Sequence, residues 1–242
     1  MLPKCIFNNL TVGCWNIEGV YESINSVKIS KLEQPFFQEM LKKHDILCLQ
    51  ETHISHDEPI PKIEGYDATP HCREISANQR FFGGILIFTK SCIKHGIKYG
   101  LQFDRDAIEV TLSKSFFGLR KDNKILFTYA SPINSPYTKA KSENILEKIE
   151  TRYFEDEGKY IIMGDLNGRT KTDDDFVSDK NDKHSPINIP HYTKDDPLKT
   201  RHNMDTHTTD EQGKMIITLC KTSSIRILNG RTPGDEKGSF TR

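Results

Sequence analysis

Apolar residues come in short runs, each closed by polar or turn-forming stretches, and their period changes along the chain. Residues 10–17 (LTVGCWNI) and 45–50 (DILCLQ) are apolar with little alternation, as strands buried on both faces are. Between them Ile29, Leu32, Phe36, Phe37, Met40 and Leu41 recur at helical spacing. They predict an amphipathic helix that starts near Pro35, where proline suits a first turn, and ends near His44. Residues 83–89 (GGILIFT), 107–112 (AIEVTL) and 125–130 (ILFTYA) read as strands set apart by turn-rich segments. Residues 135–154 open with Ser-Pro and carry Ile145, Leu146 and Ile149 on one face, which predicts a helix. A strand at 160–163 (YIIM) follows. The stretch 170–202 is rich in Asp, Lys and Pro and reads as a long polar surface loop. A helix at 211–222 and a short strand at 225–228 close the pattern.

Strands interrupted by helices, with several hairpin-like pairs, predict a core of two sheets with helices outside. A dinucleotide-binding sheet would want a glycine-rich first turn, and Trp15-Asn16-Ile17-Glu18-Gly19 is not one. A chain of 242 residues with no visible linker is expected to be a single domain over 1–242.

Polar residues gather where strands finish. One strand ends in Trp15-Asn16-Ile17-Glu18, another in Gln50-Glu51-Thr52, a third in Gly164-Asp165-Leu166-Asn167. An apolar strand that runs into a carboxylate holds that carboxylate at the rim of a rigid sheet. Hard cations such as Mg²⁺ take oxygen ligands, typically one or two carboxylates with water and a substrate phosphate. Glu51 is the first candidate ligand, with Glu18 and Asp165 as companions. Each residue alone fits an ordinary strand terminus; three such ends in this order do not.

Trp15-Asn16-x-x-Gly19, Leu49-Gln50-Glu51-Thr52 and Gly164-Asp165-Leu166-Asn167 resemble the signatures of the endonuclease/exonuclease/phosphatase superfamily. The resemblance implies an α+β, DNase I-like fold, a four-layer αββα sandwich of two packed mixed sheets flanked by helices. It also implies a Mg²⁺-dependent hydrolase of phosphodiesters, with Mn²⁺ as an alternative ion. Carried over by position, Glu51 would be the principal metal ligand, with Glu18 and Asn16 lining the metal and phosphate site. Tyr129 would contact the scissile phosphate, Asp165 would orient or activate water, and Asn167 would be its partner at the phosphate. The run Gly164 to Thr170, Arg201-x-Asn203-x-Asp205, and Ile225 to Arg231 resemble retrotransposon endonucleases of the LINE type. That points to DNA as partner, with a fused reverse transcriptase in the full element. Arg201 and Arg231 are candidates for DNA phosphate contact, against a structural role for each.

Lys+Arg and Asp+Glu both total 34, so bulk charge gives no argument for nucleic acid. Six scattered cysteines without a CxxC read as reduced core thiols of an intracellular protein, nuclear or cytoplasmic. No stretch approaches the length of a membrane span or a signal peptide. Family members continue beyond Phe240-Thr241 to a strand with a catalytic Asp and a final Ser-Asp-His. The resemblance therefore implies a domain whose last strands are missing, poorly soluble and inactive or nearly so. Asp182-Lys183-His184-Ser185 mimics that ending, but a lysine separates its Asp from its His, and it lies in the polar loop soon after Asp165, before the helix and strand that should come first. Two other readings stay open: a non-catalytic DNA- or protein-binding remnant of the fold, and a phosphatase or phospholipase of the same superfamily.

Overall fold

The computed structural model describes residues 9–55, 57–73, 83–100, 105–139, 144–155, 160–177 and 200–239. The stretches 178–199 and 240–242 lie outside the described residues, and with them the Asp182-to-His184 mimic and Phe240-Thr241. The chain divides into two compact units, Met1–Ser131 with Glu155–Leu166, and Pro132–Phe154 with Asn167–Arg242.

Two four-stranded sheets form the first unit. One has the order β1 (Val12–Asn16), β4 (Ile46–Gln50), β6 (Ile85–Lys90), β5 (Tyr66–His71). The other runs β10 (Tyr160–Met163), β9 (Asn123–Thr128), β8 (Ala107–Leu112), β7 (Ile97–Tyr99). Both are mixed: β1–β4 and β9–β10 pair in parallel and the remaining neighbours antiparallel. Side chains alternate across a strand, and β4 and β6 use both faces. Ile46, Cys48, Ile85 and Ile87 meet Ile108, Val110, Leu112, Ile125 and Phe127 of the second sheet in a shared core. Leu47, Leu49, Leu86 and Phe88 turn the other way, onto Leu32, Phe37 and Leu41. Those last residues line one face of α1 (Pro35–Lys42) and the turn before it, and Trp15 stacks on Phe37 at 6.1 Å. The apolar runs at 45–50 and 83–89 were thus strands covered on both sides, and α1 begins at Pro35 as its sequence predicts.

A small hairpin, β2 (Tyr21–Ile24) and β3 (Val27–Ser30), grows from the end of β1. Its turn residues Asn25 and Ser26 have φ of +50° and +65°, the twist that suits a two-residue hairpin. A one-turn helix, α2 (Lys114–Phe117), links β8 to β9.

The second unit holds α3 (Pro136–Lys139), α4 (Ile145–Glu155) and α5 (Glu211–Ser223). The predicted helix over 135–154 is two pieces, because Asn144 starts a new one: its Oδ1 accepts from the N–H of Leu146 and Glu147 reaches back to the Asn144 N–H. Asp210 caps α5 by accepting from the Gly213 N–H at 2.7 Å. Residues 225–228 form no strand; the Ile227 N–H goes to the Asp175 carboxylate at 2.8 Å in place of a ladder. At the described ends of the 170–202 loop Lys171 to Asp174, Thr200 and His202 are exposed, while Thr170, Asp175 and Arg201 are buried. No helix among the described residues is long and apolar enough to cross a membrane.

Candidate active site

In the first unit, β1 and β4 run in parallel with Asn16 opposite Gln50, so both strands deliver their last residues to the same rim. The chains stay zipped beyond the sheet: Gly19 N–H donates to the Glu51 carbonyl (2.7 Å) and Val20 N–H to that of Thr52 (2.9 Å). The residue after β10, Gly164, leads Asp165 to this rim. There the Asn16 amide donates to Glu51 Oε1 at 2.8 Å and to Asp165 Oδ2 at 3.1 Å. These two carboxylate oxygens are therefore no farther apart than two hydrogen bonds laid end to end. The Tyr129 hydroxyl, just past β9, hydrogen-bonds Glu51, and His53 Nε2 stands 3.4 Å from Glu51 Oε2. Residues 16, 51, 129 and 165 thus form one knot.

The backbone where β1 and β4 end is unusual. Glu18, Glu51 and His53 have φ of +50°, +52° and +54°. A left-handed conformation costs a residue with a Cβ about 1–2 kcal/mol, and such strain collects where the surroundings impose it for function. Gly164 shows the same demand in another form. Its φ is +149°, and a Cβ there would stand 1.9 Å from the Thr128 carbonyl oxygen and 2.5 Å from Gln50 Nε2. We expect Gly164→Ala to destabilise the protein by about 2–4 kcal/mol, because a backbone carbonyl must move. It should also displace Asp165. Urea denaturation reads the first effect, and a wild-type unfolding curve would show that the close approach is not rigid.

Gln50 explains how Asp165 is held. It is 1% exposed, its Oε1 accepts from the Asp165 N–H at 2.8 Å, and its Nε2 donates to the Thr128 carbonyl. The Ala130 N–H closes the ring on the Asp165 carbonyl at 2.9 Å. A buried amide that satisfies a donor in one segment and an acceptor in another fixes both, since losing either bond leaves a polar group stranded. In the sequence Gln50 stands inside the Leu49-to-Thr52 motif with no role of its own. The signal available was a glutamine ending a strand that is otherwise wholly apolar.

Charge follows from this geometry. The bond from His53 first, then those from Tyr129 and Asn16, hold the Glu51 carboxyl down at about 2, against the opposing effect of burial. Burial chiefly, then the bond to Glu51 and the charges of Glu51 and Asp165, push the Tyr129 phenol far above its ordinary value, with Arg73 opposing. At neutral pH Glu51 is an anion and Tyr129 a proton donor. A carboxyl whose pKa falls on folding adds stability above its unfolded value, and that stability is lost as pH falls toward the folded value. The stability difference between wild type and Glu51→Gln should therefore shrink as pH drops from ~4.5 toward ~2, measured by urea melts at stepped pH. A difference independent of pH would contradict the bonding around Glu51.

The donor set suits a hard cation. Among the described residues no three His, Cys, Asp or Glu side chains gather as a metal cage. A hydrated Mg²⁺ needs no such cage, only one or two carboxylates with water. Glu51, with a side chain 23% exposed, and Asp165 meet that need with an amide between them. Glu18 is exposed; its backbone N–H donates to Asn16 Oδ1 at 3.1 Å and its carbonyl accepts from Lys31 Nζ at 3.2 Å, so its backbone steadies Asn16.

Asn167 belongs to the second unit, as do Arg201 and Arg231. Both guanidiniums are turned inward. Arg201, 4% exposed, donates to Thr170 Oγ1 (2.9 Å) and to the carbonyls of Thr170 (3.0 Å) and Asp173 (2.9 Å). Arg231 grips the buried Asp175 with both terminal nitrogens, at 2.7 and 2.8 Å. Neither presents its charge to a phosphate; they hold loops together.

A family model described as the Endonuclease/Exonuclease/phosphatase family matches residues 13–216. Solved structures similar to the chain include the catalytic domain of Xenopus laevis APE2, with 20% identity, covering 67% of this chain and 59% of that one at a TM-score of 0.43. An AP endonuclease from Archaeoglobus fulgidus shares 17% identity over the same 67% and 59%, with a TM-score of 0.39. The human Nocturnin catalytic domain shares 18% identity, covering 55% of each chain, with a TM-score of 0.34. The chain thus spans less than two thirds of the length of these structures. No curated protein matches it significantly.

Proposed function

Because the chain belongs to the endonuclease/exonuclease/phosphatase family, we propose that it hydrolyses phosphodiester bonds in DNA with the help of Mg²⁺, as the endonuclease part of a non-LTR retrotransposon. The observation that carries the chemistry is the knot in which one amide, Asn16, ties Glu51 to Asp165. The retroelement assignment rests on Gly164-Asp165-Leu166-Asn167-Gly168-Arg169-Thr170, Arg201-x-Asn203-x-Asp205 and the Ile225-to-Arg231 run. A fused reverse transcriptase in the full element goes with that assignment.

Hydrolysis of a phosphodiester needs a positioned water and compensation for charge on the non-bridging oxygens. Glu51 would hold the ion, which when bound supplies a Lewis acid for the phosphoryl oxygen, and Mn²⁺ would serve in its place. Asp165 accepts a proton from the attacking water or orients it, at a place set by Gln50 and Asn16. The Tyr129 hydroxyl, kept protonated by burial and by the anions beside it, donates a hydrogen bond to the phosphate. By the resemblance alone, Asn167 is the further residue proposed to act on the phosphate. No side chain in this set adds a positive charge of its own.

Nicking of supercoiled plasmid with Mg²⁺ tests the proposal. The resemblance implies little or no activity for residues 1–242; EDTA-sensitive nicking, with inositol phosphates and sphingomyelin left intact, would overturn that expectation and is the result that the intact knot of Asn16, Glu51 and Asp165 favours. Turnover of a phospholipid or inositol phosphate without nicking would overturn the choice of DNA.

A further inference from the structure

Arg73 and Asp106 form a buried ion pair in the first unit, next to the knot, and no step above uses them. Arg73 Nε donates to Asp106 Oδ1 at 2.6 Å and Nη2 donates to Ser131 Oγ at 2.9 Å. The pair encloses Tyr129 from two directions. The Asp106 carbonyl accepts from the Tyr129 N–H at 2.8 Å and from Thr128 Oγ1 at 3.3 Å, while Arg73 Cζ lies 5.8 Å from the Tyr129 ring centroid. On its other side the guanidinium lies against Gly83, where a Cβ would stand 2.2 Å from Arg73 Cζ. Gly83 in turn holds the loop that carries Glu51: its carbonyl accepts from the His53 N–H at 2.9 Å, and the carbonyl of Gly84 accepts from Thr52.

From this bracket we infer that Arg73 is a positioning residue, which sets the Tyr129 hydroxyl against Glu51 by wedging between the strand end that carries one and the glycine pair that anchors the other. The inference rests on the phosphodiesterase reading of the site and adds a residue to it. Arg73 acts through the ring of Tyr129 and through Gly83, and its planar fork is what lets one side chain serve Asp106 and Ser131 together. A lysine keeps the charge that Asp106 needs but cannot serve both partners in one plane. The requirement at Gly83 follows as well, because any side chain there would evict the guanidinium.

The test is a double-mutant cycle between Arg73→Lys and Tyr129→Phe, read on a nicked-oligonucleotide assay and on Mn²⁺ affinity by electron paramagnetic resonance. Arg73→Lys is expected to lower kcat about 10-fold or more, with KM within about twofold. In the Tyr129→Phe background the same change should cost nothing further. Mn²⁺ affinity should follow the same pattern, weakening with Arg73→Lys only when the tyrosine hydroxyl is present. A second variant, Arg73→Met with Asp106→Leu, removes the pair without leaving a lone buried charge, and should fold yet keep the low kcat. Independent, multiplying losses in the cycle would overturn the inference, as would wild-type kcat in Arg73→Lys or in the Met/Leu pair. Failure of the underlying reading shows differently: Glu51→Gln would then cut and bind Mn²⁺ as the wild type does.

Discussion

Glu51→Gln is expected to lower Mg²⁺-dependent DNA nicking by about 10³-fold or more, and to weaken Mn²⁺ binding at least 10-fold. The substitution keeps the shape of the side chain and can still offer an oxygen to the Asn16 amide, so packing is preserved. It removes the one group in the knot that is anionic down to about 2. A hard cation is bound through charge, and an amide oxygen does not replace a carboxylate for it. The variant should also lose, at neutral pH, the stability that the bonds from His53, Tyr129 and Asn16 give the charged carboxylate. The strained backbone at φ +52° is common to both residues, so it does not enter the comparison. Nicking by the variant at the wild-type rate would remove Glu51 from the reaction and with it the proposed metal site. Loss of nicking with Mn²⁺ affinity unchanged would instead move the ion elsewhere and leave Glu51 as a base.

The sequence reveals parts of this architecture where one physical demand dominates a segment. β4 is readable because both its faces are covered, so Ile46 to Leu49 are all apolar and the helix before it shows a clean stripe. The knot is readable for a related reason: Asn16, Glu51 and Asp165 are polar residues placed where apolar strands stop. The hairpin β2–β3 escapes, since each strand has only four residues of mixed character and its left-handed turn uses Asn25 and Ser26 without glycine. β5 escapes because Pro70 argues against a strand, which an edge position tolerates. Residues 225–228 mislead in the opposite sense, with an apolar run whose N–H is taken by a carboxylate 52 positions away. Contacts at that distance leave no periodic trace. The same blindness separates Glu51 from Gln50 and Arg73. A ligand announces itself by its chemistry, whereas Gln50 and Arg73 matter for which strands they join, and that is known only once the sheets are placed.

Arg231→Met is expected to destabilise the second unit by about 3–5 kcal/mol, the largest stability change among these variants. Asp175 is fully buried, and its carboxylate accepts from Arg231 Nη1 and Nη2 and from the Ile227 N–H. Burial alone would raise its pKa; the Arg231 fork and the Ile227 N–H outweigh that and hold it below the usual carboxylate range. The wild-type pair thus adds stability above ~4, which falls away as the solution is acidified. Methionine fills much the same volume but leaves the buried carboxylate with backbone donors alone, those of Ile227 and Asp175 itself, and without its bonded counter-ion, so it must stay charged at greater cost or take up a proton. The penalty should be largest at neutral pH and should shrink as pH falls through the ordinary carboxylate range, where the protonated form becomes accessible. Replacing both partners, Arg231→Met with Asp175→Leu, should recover much of the loss, because no lone charge remains. Urea denaturation of the single and double variants at pH 7 and pH 4.5 measures all of this. A single variant as stable as wild type would mean that the pair does not hold the 170–177 and 225–231 segments together, and Arg231 would again be available to a DNA phosphate.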